Sequence, residues 1–201
     1  EKLCRLAKDR GCLTVVDGIA ATGGVKEDMS RWGIDVLITA SQKALGVPPG
    51  LAIVAFSEDA LKRSKEGKGL TSYYTSLRNW LNVMESFEKG VPSYFSTPPV
   101  NLIYALNASL ELLFEEGLEK VYERHKLVGK AFRKALKEIG LKLVPLSEEI
   151  CAPTLTAAWY PDGVIGSEFK ALLDKMGVVV AGGLGEYADK YFRVGPVSYT
   201  H

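Results

Sequence analysis

The sequence predicts an α/β fold followed by a smaller α+β region, and three observations carry that expectation. Continuous apolar runs at residues 13–16, 36–40 and 51–56 are too short for helices and are separated by polar or helix-like stretches. Runs of that kind suit strands of a sheet covered on both faces. Helix-period stretches then fill residues 100–139, and short strand-like runs around one helix complete the chain as a small second core.

Taken in order, residues 1–10 form a charged, helix-like lead into the first strand, residues 13–16, which ends on Asp17. Residues 26–32 read as a short helix, 36–40 as the second strand and 51–56 as the third. Ser57 is placed to cap the next helix, with Glu58 and Asp59 in the first turn, where the helix dipole favours acids. From 67 to 99 the pattern dissolves into Ser, Thr, Tyr, Asn and Gly, with Tyr73, Tyr74, Trp80 and Tyr94 among them. A long irregular segment inside a compact protein is more often functional than idle. Leu102, Ile103, Leu106, Leu110 and Leu113 mark a helix over 100–114, and Gly117 breaks it. Residues 118–139 continue as a basic amphipathic helix with a solvated lysine face, which Gly140 stops. Strands at 141–144 and 154–159, a helix at 167–175, strands at 178–180 and 191–194, and a glycine loop between the last two finish the chain. The expected division is a large domain over 1–116 and a small one over 117–201. The chain opens on Glu1 within a helix and stops soon after a strand, so both ends read as cut from something larger.

The composition narrows the class. With 47% hydrophobic residues and a net charge of +1 in 201 residues, the chain has material for a core and no basic surplus for nucleic acid or an anionic membrane. No apolar run is long enough to span a bilayer. Cys4, Cys12 and Cys151 are odd in number and unrelated in spacing, which suits reduced thiols and a cytoplasmic setting. His125, mid-helix among charges, and His201, at the chain end, have no metal-like neighbours, so no metal site is expected. A Gly-x-Ser-x-Gly nucleophile elbow is absent.

The chemistry gathers on Ser41-Gln42-Lys43-Ala44-Leu45-Gly46-Val47-Pro48-Pro49-Gly50, a polar break between the second and third strands. Partial burial there would disfavour the Lys43 ammonium and make its amine a nucleophile toward a carbonyl. Asp17 ends a neighbouring strand, and in open α/β sheets ligands sit beyond the carboxyl ends of strands. A carboxylate that keeps a pyridinium nitrogen protonated and a lysine that forms an imine are the two protein groups pyridoxal phosphate chemistry requires. Ile19 could lie under a flat ring, and the glycines at 18, 23 and 24 would let backbone approach it. Arg193 sits inside an apolar strand and needs an anion, either a substrate carboxylate or a protein acid.

These residues resemble the fold-type I pyridoxal phosphate enzymes of aminotransferase class V, in the branch of alanine–glyoxylate, serine–glyoxylate and serine–pyruvate aminotransferases. The likeness rests on Val16-Asp17-Gly18-Ile19-Ala20 with Gly23-Gly24, Ser41-Gln42-Lys43-Ala44-Leu45 with Pro48-Pro49-Gly50, Tyr94 through Thr97-Pro98-Pro99-Val100, and Gly182-Gly183-Leu184-Gly185 with Arg193-Val194-Gly195. It implies a Lys43 aldimine, Asp17 on the pyridine nitrogen, Ile19 on a ring face and Gln42 near the phosphate. It also implies a homodimer in which Tyr94 and Thr97 reach the phosphate of the neighbouring subunit's cofactor, and Arg193 as the grip on the substrate carboxylate. The substrates implied are a small amino acid, alanine or serine, and a 2-oxo acid, glyoxylate or pyruvate. Measured against the family, the upstream half of the large domain and the last helix of the small one are expected to lie outside this chain, which should not catalyse alone. Two rivals share the fold. Cysteine desulfurases carry a histidine where Gln42 stands, and phosphoserine aminotransferases need extra basic residues for the substrate phosphate. A catalytically silent homologue or subunit is the alternative from another class.

Overall fold

The computed structural model describes residues 1–67 and 72–195; residues 68–71 of the irregular segment, and the chain end with His201, lie outside the described residues. Two compact units divide the chain. The first comprises Glu1–Ile19, Glu27–Ser41 and Pro48–Asn107; the second comprises Ala20–Lys26, Gln42–Val47 and the chain from Ala108 onward.

The first unit is built on a sheet of β1 (Val15–Asp17), β2 (Val36–Ala40) and β3 (Ala52–Phe56), in that order. β1 runs parallel to β2, with Asp17 level with Ile38, and β3 returns antiparallel, with Ala52 level with Ala40. Around the sheet lie α1 (Lys2–Lys8), α2 (Met29–Trp32), α3 (Glu58–Glu66) and α4 (Leu77–Glu88). Two caps follow from the sequence: the Asp28 carboxylate accepts the Arg31 N–H, and the Ser57 hydroxyl accepts the Ala60 N–H. Two expectations need correction. The sheet is not covered on both faces, since Val15 is 64% and Val54 38% exposed. And the segment read as irregular holds α4, whose Leu77, Leu81 and Met84 recur at helical spacing, with Leu81 buried.

A buried carboxylate ties this unit together. Asp35 is wholly buried; its Oδ1 accepts from Lys8 Nζ at 2.7 Å and Ser57 Oγ at 2.9 Å, and its Oδ2 accepts from the Thr14 N–H at 2.9 Å. The three donors come from α1, the approach to β1 and the cap of α3. Burial pushes the Asp35 carboxyl up, but the hydrogen bonds from Lys8, Thr14 and Ser57 outweigh it and hold it below the ordinary value. Hydrogen bonds to Asp35 and Asp59 raise Lys8. A lowered carboxyl pKa means that its stabilisation is complete above the unfolded value, about 3.9, and is lost as pH falls through the folded one. The raised Lys8 works oppositely: its share is complete below about 10.4 and is lost as pH rises through its folded value. Asp35→Ala is expected to cost about 2–4 kcal/mol, because it strands buried donors. Urea unfolding against pH checks this: Asp35→Asn should also flatten the acid limb, and an unchanged limb would show that another group controls it.

The second unit packs α6 (Leu118–Glu138) and α7 (Gly166–Lys175) with an antiparallel sheet of β4 (Thr156–Trp159), β6 (Tyr191–Val194) and β5 (Ala181–Gly182), in that order. Leu136, Ala158, Tyr160 and Phe192 form its core, flanked by Phe132, Phe169 and Val180. α5 (Val100–Glu116) begins in the first unit and ends in the second. Residues 141–144 are not a full strand: one bridge, Leu143 to Ala158, with two flanking hydrogen bonds, lays them along β4. The strand expected at 178–180 starts later, because the Val178 N–H closes α7 by donating to the Leu173 carbonyl. Nor is α6 simply a solvated basic helix. His125 is 1% and Arg133 5% exposed, and Arg133 Nε reaches Glu148 Oε1 at 2.7 Å. Lys137 and Arg133 together hold Glu148 below the usual carboxylate range. Among the described residues no helix is long and apolar enough to cross a membrane.

Candidate active site

Asp17 closes β1, and the Gly18 N–H still donates to the Ile38 carbonyl one step beyond it. The Asp17 Oδ1 accepts the Ile19 N–H at 2.9 Å, a local turn that orients the carboxylate past the strand end. Its Oδ2 has no partner among the described residues, so one acceptor stays available to an outside N–H. Because β1 and β2 are parallel, their carboxyl ends share one edge of the sheet.

The segment that follows β2 is closed at its root by Ser41. This residue is wholly buried; its hydroxyl donates to the Pro48 carbonyl at 2.7 Å and accepts the Leu51 N–H at 3.2 Å. Gly50 has φ of +140°, and a Cβ there would stand 2.5 Å from Leu102 Cδ1. Only glycine meets both demands. Within the second unit, Ala44, Leu45 and Val47 are buried while Gln42 and Lys43 are exposed. The Gly46 N–H donates to the Lys43 carbonyl at 2.9 Å, and the Ser109 hydroxyl donates to the Leu45 carbonyl. The backbone around Lys43 is therefore held while its side chain is left out. That differs from the partial burial expected for Lys43.

Gly24 also has a job other than the expected one. A Cβ on it would lie 2.4 Å from Thr154 Cγ2 and 3.3 Å from the Ala44 methyl, so it lets the Ala20–Lys26 segment pack closely beside the lysine turn. Thr154 Oγ1 anchors the same segment by donating to the Ala20 carbonyl at 2.5 Å.

Tyr94 and Thr97 meet in the first unit, hydroxyl to hydroxyl at 2.8 Å, with Tyr94 74% exposed. Arg193 lies on β6 between Ala157 of β4 and Ala181 of β5. Its neighbour Phe192 points into the core, so strand alternation turns Arg193 to the opposite face. Its Nε donates to the Gly182 carbonyl at 2.8 Å. No protein carboxylate pairs with it among the described residues.

The structure thus joins Asp17 with Ile19, Gln42 with Lys43, and Tyr94 with Thr97, and sets Arg193 on an open strand face. Ser41 and Ser109, which support the lysine turn, and Thr154, which anchors the Ala20–Lys26 segment, have no role in the sequence reading. Ser41 carried a signal, a hydroxyl at the end of an apolar strand; the other two are remote in sequence. Among the described residues no three or more His, Cys, Asp or Glu side chains gather as a metal site would need.

The family model for aminotransferase class-V matches residues 1–187, and the chain belongs to that family. It is 37% identical over 196 residues to an uncharacterized aminotransferase of Methanocaldococcus jannaschii, covering 97% of this chain and 50% of that one. Alanine–glyoxylate aminotransferase 1 of Saccharomyces cerevisiae is 38% identical over 194 residues, covering 92% and 49%. The crystal structure of an alanine–glyoxylate aminotransferase from Nostoc sp. superposes with a TM-score of 0.90 at 33% identity, covering 99% of this chain and 52% of that one. The chain spans about half the length of the relatives it matches.

Proposed function

We propose that the full-length protein is a pyridoxal phosphate-dependent aminotransferase that moves the amino group between a small amino acid, alanine or serine, and glyoxylate or pyruvate. The observation that carries this reading is Asp17 at the carboxyl edge shared by β1 and β2, with Lys43 following β2 by three residues in the sequence. The names of the relatives support the substrate class.

The residues suit the cofactor. Asp17 has an unused Oδ2 for a pyridine N–H, Lys43 an exposed amine for an aldehyde, and Tyr94 and Thr97 two adjacent hydroxyls for a phosphate. When bound, pyridoxal phosphate supplies an electron sink that stabilises charge developing on the substrate α-carbon. Asp17 keeps the ring nitrogen protonated, so the sink stays strong. Lys43 would be the residue that anchors the cofactor and that moves the proton at the substrate α-carbon. Ile19 packs on a ring face, Gln42 hydrogen-bonds near the phosphate, and Arg193 grips the substrate carboxylate through two parallel N–H donors.

The same reading makes the protein a cytoplasmic homodimer, with Tyr94 and Thr97 serving the neighbouring subunit's cofactor. It sets the boundary between large and small domains at Glu116 and Gly117. A panel of alanine, serine and phosphoserine against glyoxylate, pyruvate and 2-oxoglutarate tests it on the full-length enzyme. Alanine or serine with glyoxylate or pyruvate should give the highest kcat/KM, and a preference for phosphoserine with 2-oxoglutarate would overturn the substrate assignment.

A further inference from the structure

Phe95, between Tyr94 and Thr97 in the sequence, belongs to a cluster of packed rings. Phe95 is half-buried and lies between Tyr73, with centroids 5.0 Å apart, and Trp80, at 4.9 Å edge to face. Trp80 in turn meets Tyr74 at 5.5 Å, edge to face. The first turns of α4 fix the strand of chain that carries these tyrosines: Asn79 Nδ2 donates to the Tyr73 carbonyl at 2.8 Å and Trp80 Nε1 to the Tyr74 carbonyl at 2.6 Å. α4 itself is tied to the end of α3, where Arg78 Nε donates to the Ser64 carbonyl at 2.8 Å and its Nη2 to the Gly67 carbonyl. Helix α3, the start of α4 and the 94–97 turn therefore form one braced assembly within the first unit.

We propose that the Tyr73–Trp80–Phe95 ring cluster is a positioning element that holds the Tyr94 and Thr97 hydroxyls as a fixed pair for a phosphate dianion. This rests on the reading of Tyr94 and Thr97 as phosphate contacts. Tyr94 points out to solvent while Phe95, next in sequence, turns in, so the inward ring sets where the outward hydroxyl stands. In the pair, one hydroxyl proton is committed to the other oxygen and the second proton remains to be donated. The hydrogen bond between them strengthens that free donor toward an anion. A pair already in place loses less freedom on binding than two side chains that must first be ordered. The tilted Tyr73 ring and the edge-to-face Trp80 ring on Phe95 supply that order through contacts that aliphatic residues do not reproduce.

The test compares the affinity of the full-length apoenzyme for pyridoxal phosphate and for pyridoxal, which lacks the phosphate, by cofactor absorbance and tryptophan quenching. Phe95→Ala should weaken pyridoxal phosphate about tenfold and leave pyridoxal within twofold, while Phe95→Tyr, which keeps the ring, should restore wild-type affinity. Should Phe95→Ala not fold, Phe95→Leu and Tyr73→Leu serve, with the same selective loss expected. Equal weakening of both ligands, or of neither, overturns the inference. Tyr94→Phe and Thr97→Ala separate this failure from that of the underlying reading. If they weaken pyridoxal phosphate and Phe95→Ala does not, the hydroxyls bind phosphate without the cluster's help. If they leave it unchanged, the phosphate reading itself falls and the inference falls with it.

Discussion

Lys43→Ala should remove the visible absorbance of the bound cofactor and lower transamination by at least about 10³-fold in the full-length enzyme, since the proposed function makes one amine both anchor and proton carrier. The scaffold should survive the change. Ala44, Leu45 and Val47 carry the packing of the turn, Ser109 holds the Leu45 carbonyl and Ser41 closes the root. The Lys43 side chain takes part in none of these contacts. Borohydride reduction of the loaded enzyme followed by peptide mapping provides the direct check. The label belongs on the peptide containing Lys43. Label on Lys26, which is exposed and ion-paired to Glu119 at 2.6 Å, or on any other lysine, would sink the assignment.

Arg193→Ala should raise the KM for the amino acid by roughly 10²-fold and leave the cofactor absorbance intact, the signature of lost substrate binding rather than lost chemistry. The guanidinium is tethered by one bond to the Gly182 carbonyl, and its strand neighbours Ala157 and Ala181 are small. Arg193→Lys should recover little, because a single ammonium cannot reproduce two parallel donors in one plane. An unchanged KM in Arg193→Ala would make the arginine a structural tie to the β5 strand.

Much of this architecture was legible in the sequence where a single pattern dominated. β2 and β6 stand at the residues expected, because each is an apolar run ended by a clear break. The Ser57 cap was legible from a hydroxyl followed by two acids. Helix α4 was hidden because its flanks are rich in Ser, Tyr and Asn, and composition outweighed the Leu77, Leu81, Met84 spacing within. The strand read at 178–180 failed for another reason. Valines favour strands, but the Val178 N–H was needed to end a helix, and backbone hydrogen bonding outranks propensity. At the proposed site, Asp17 and Lys43 stand out in the sequence because each follows an apolar run. Their supports do not: Ser109 and Thr154 act on turns far away in sequence, and the exposure of Lys43 depends on burial of its neighbours, which no local pattern encodes.

The way Ser41 closes the root of the lysine turn separates architecture from reactivity. Hydroxyls and methyl groups maintain the turn, and the amine is a passenger on it. If Lys43 has the proposed role, a chain built this way would lose its reactivity through substitution at one exposed position and keep the turn. Inheritance of the shape is therefore weaker testimony to activity than the single letter at position 43.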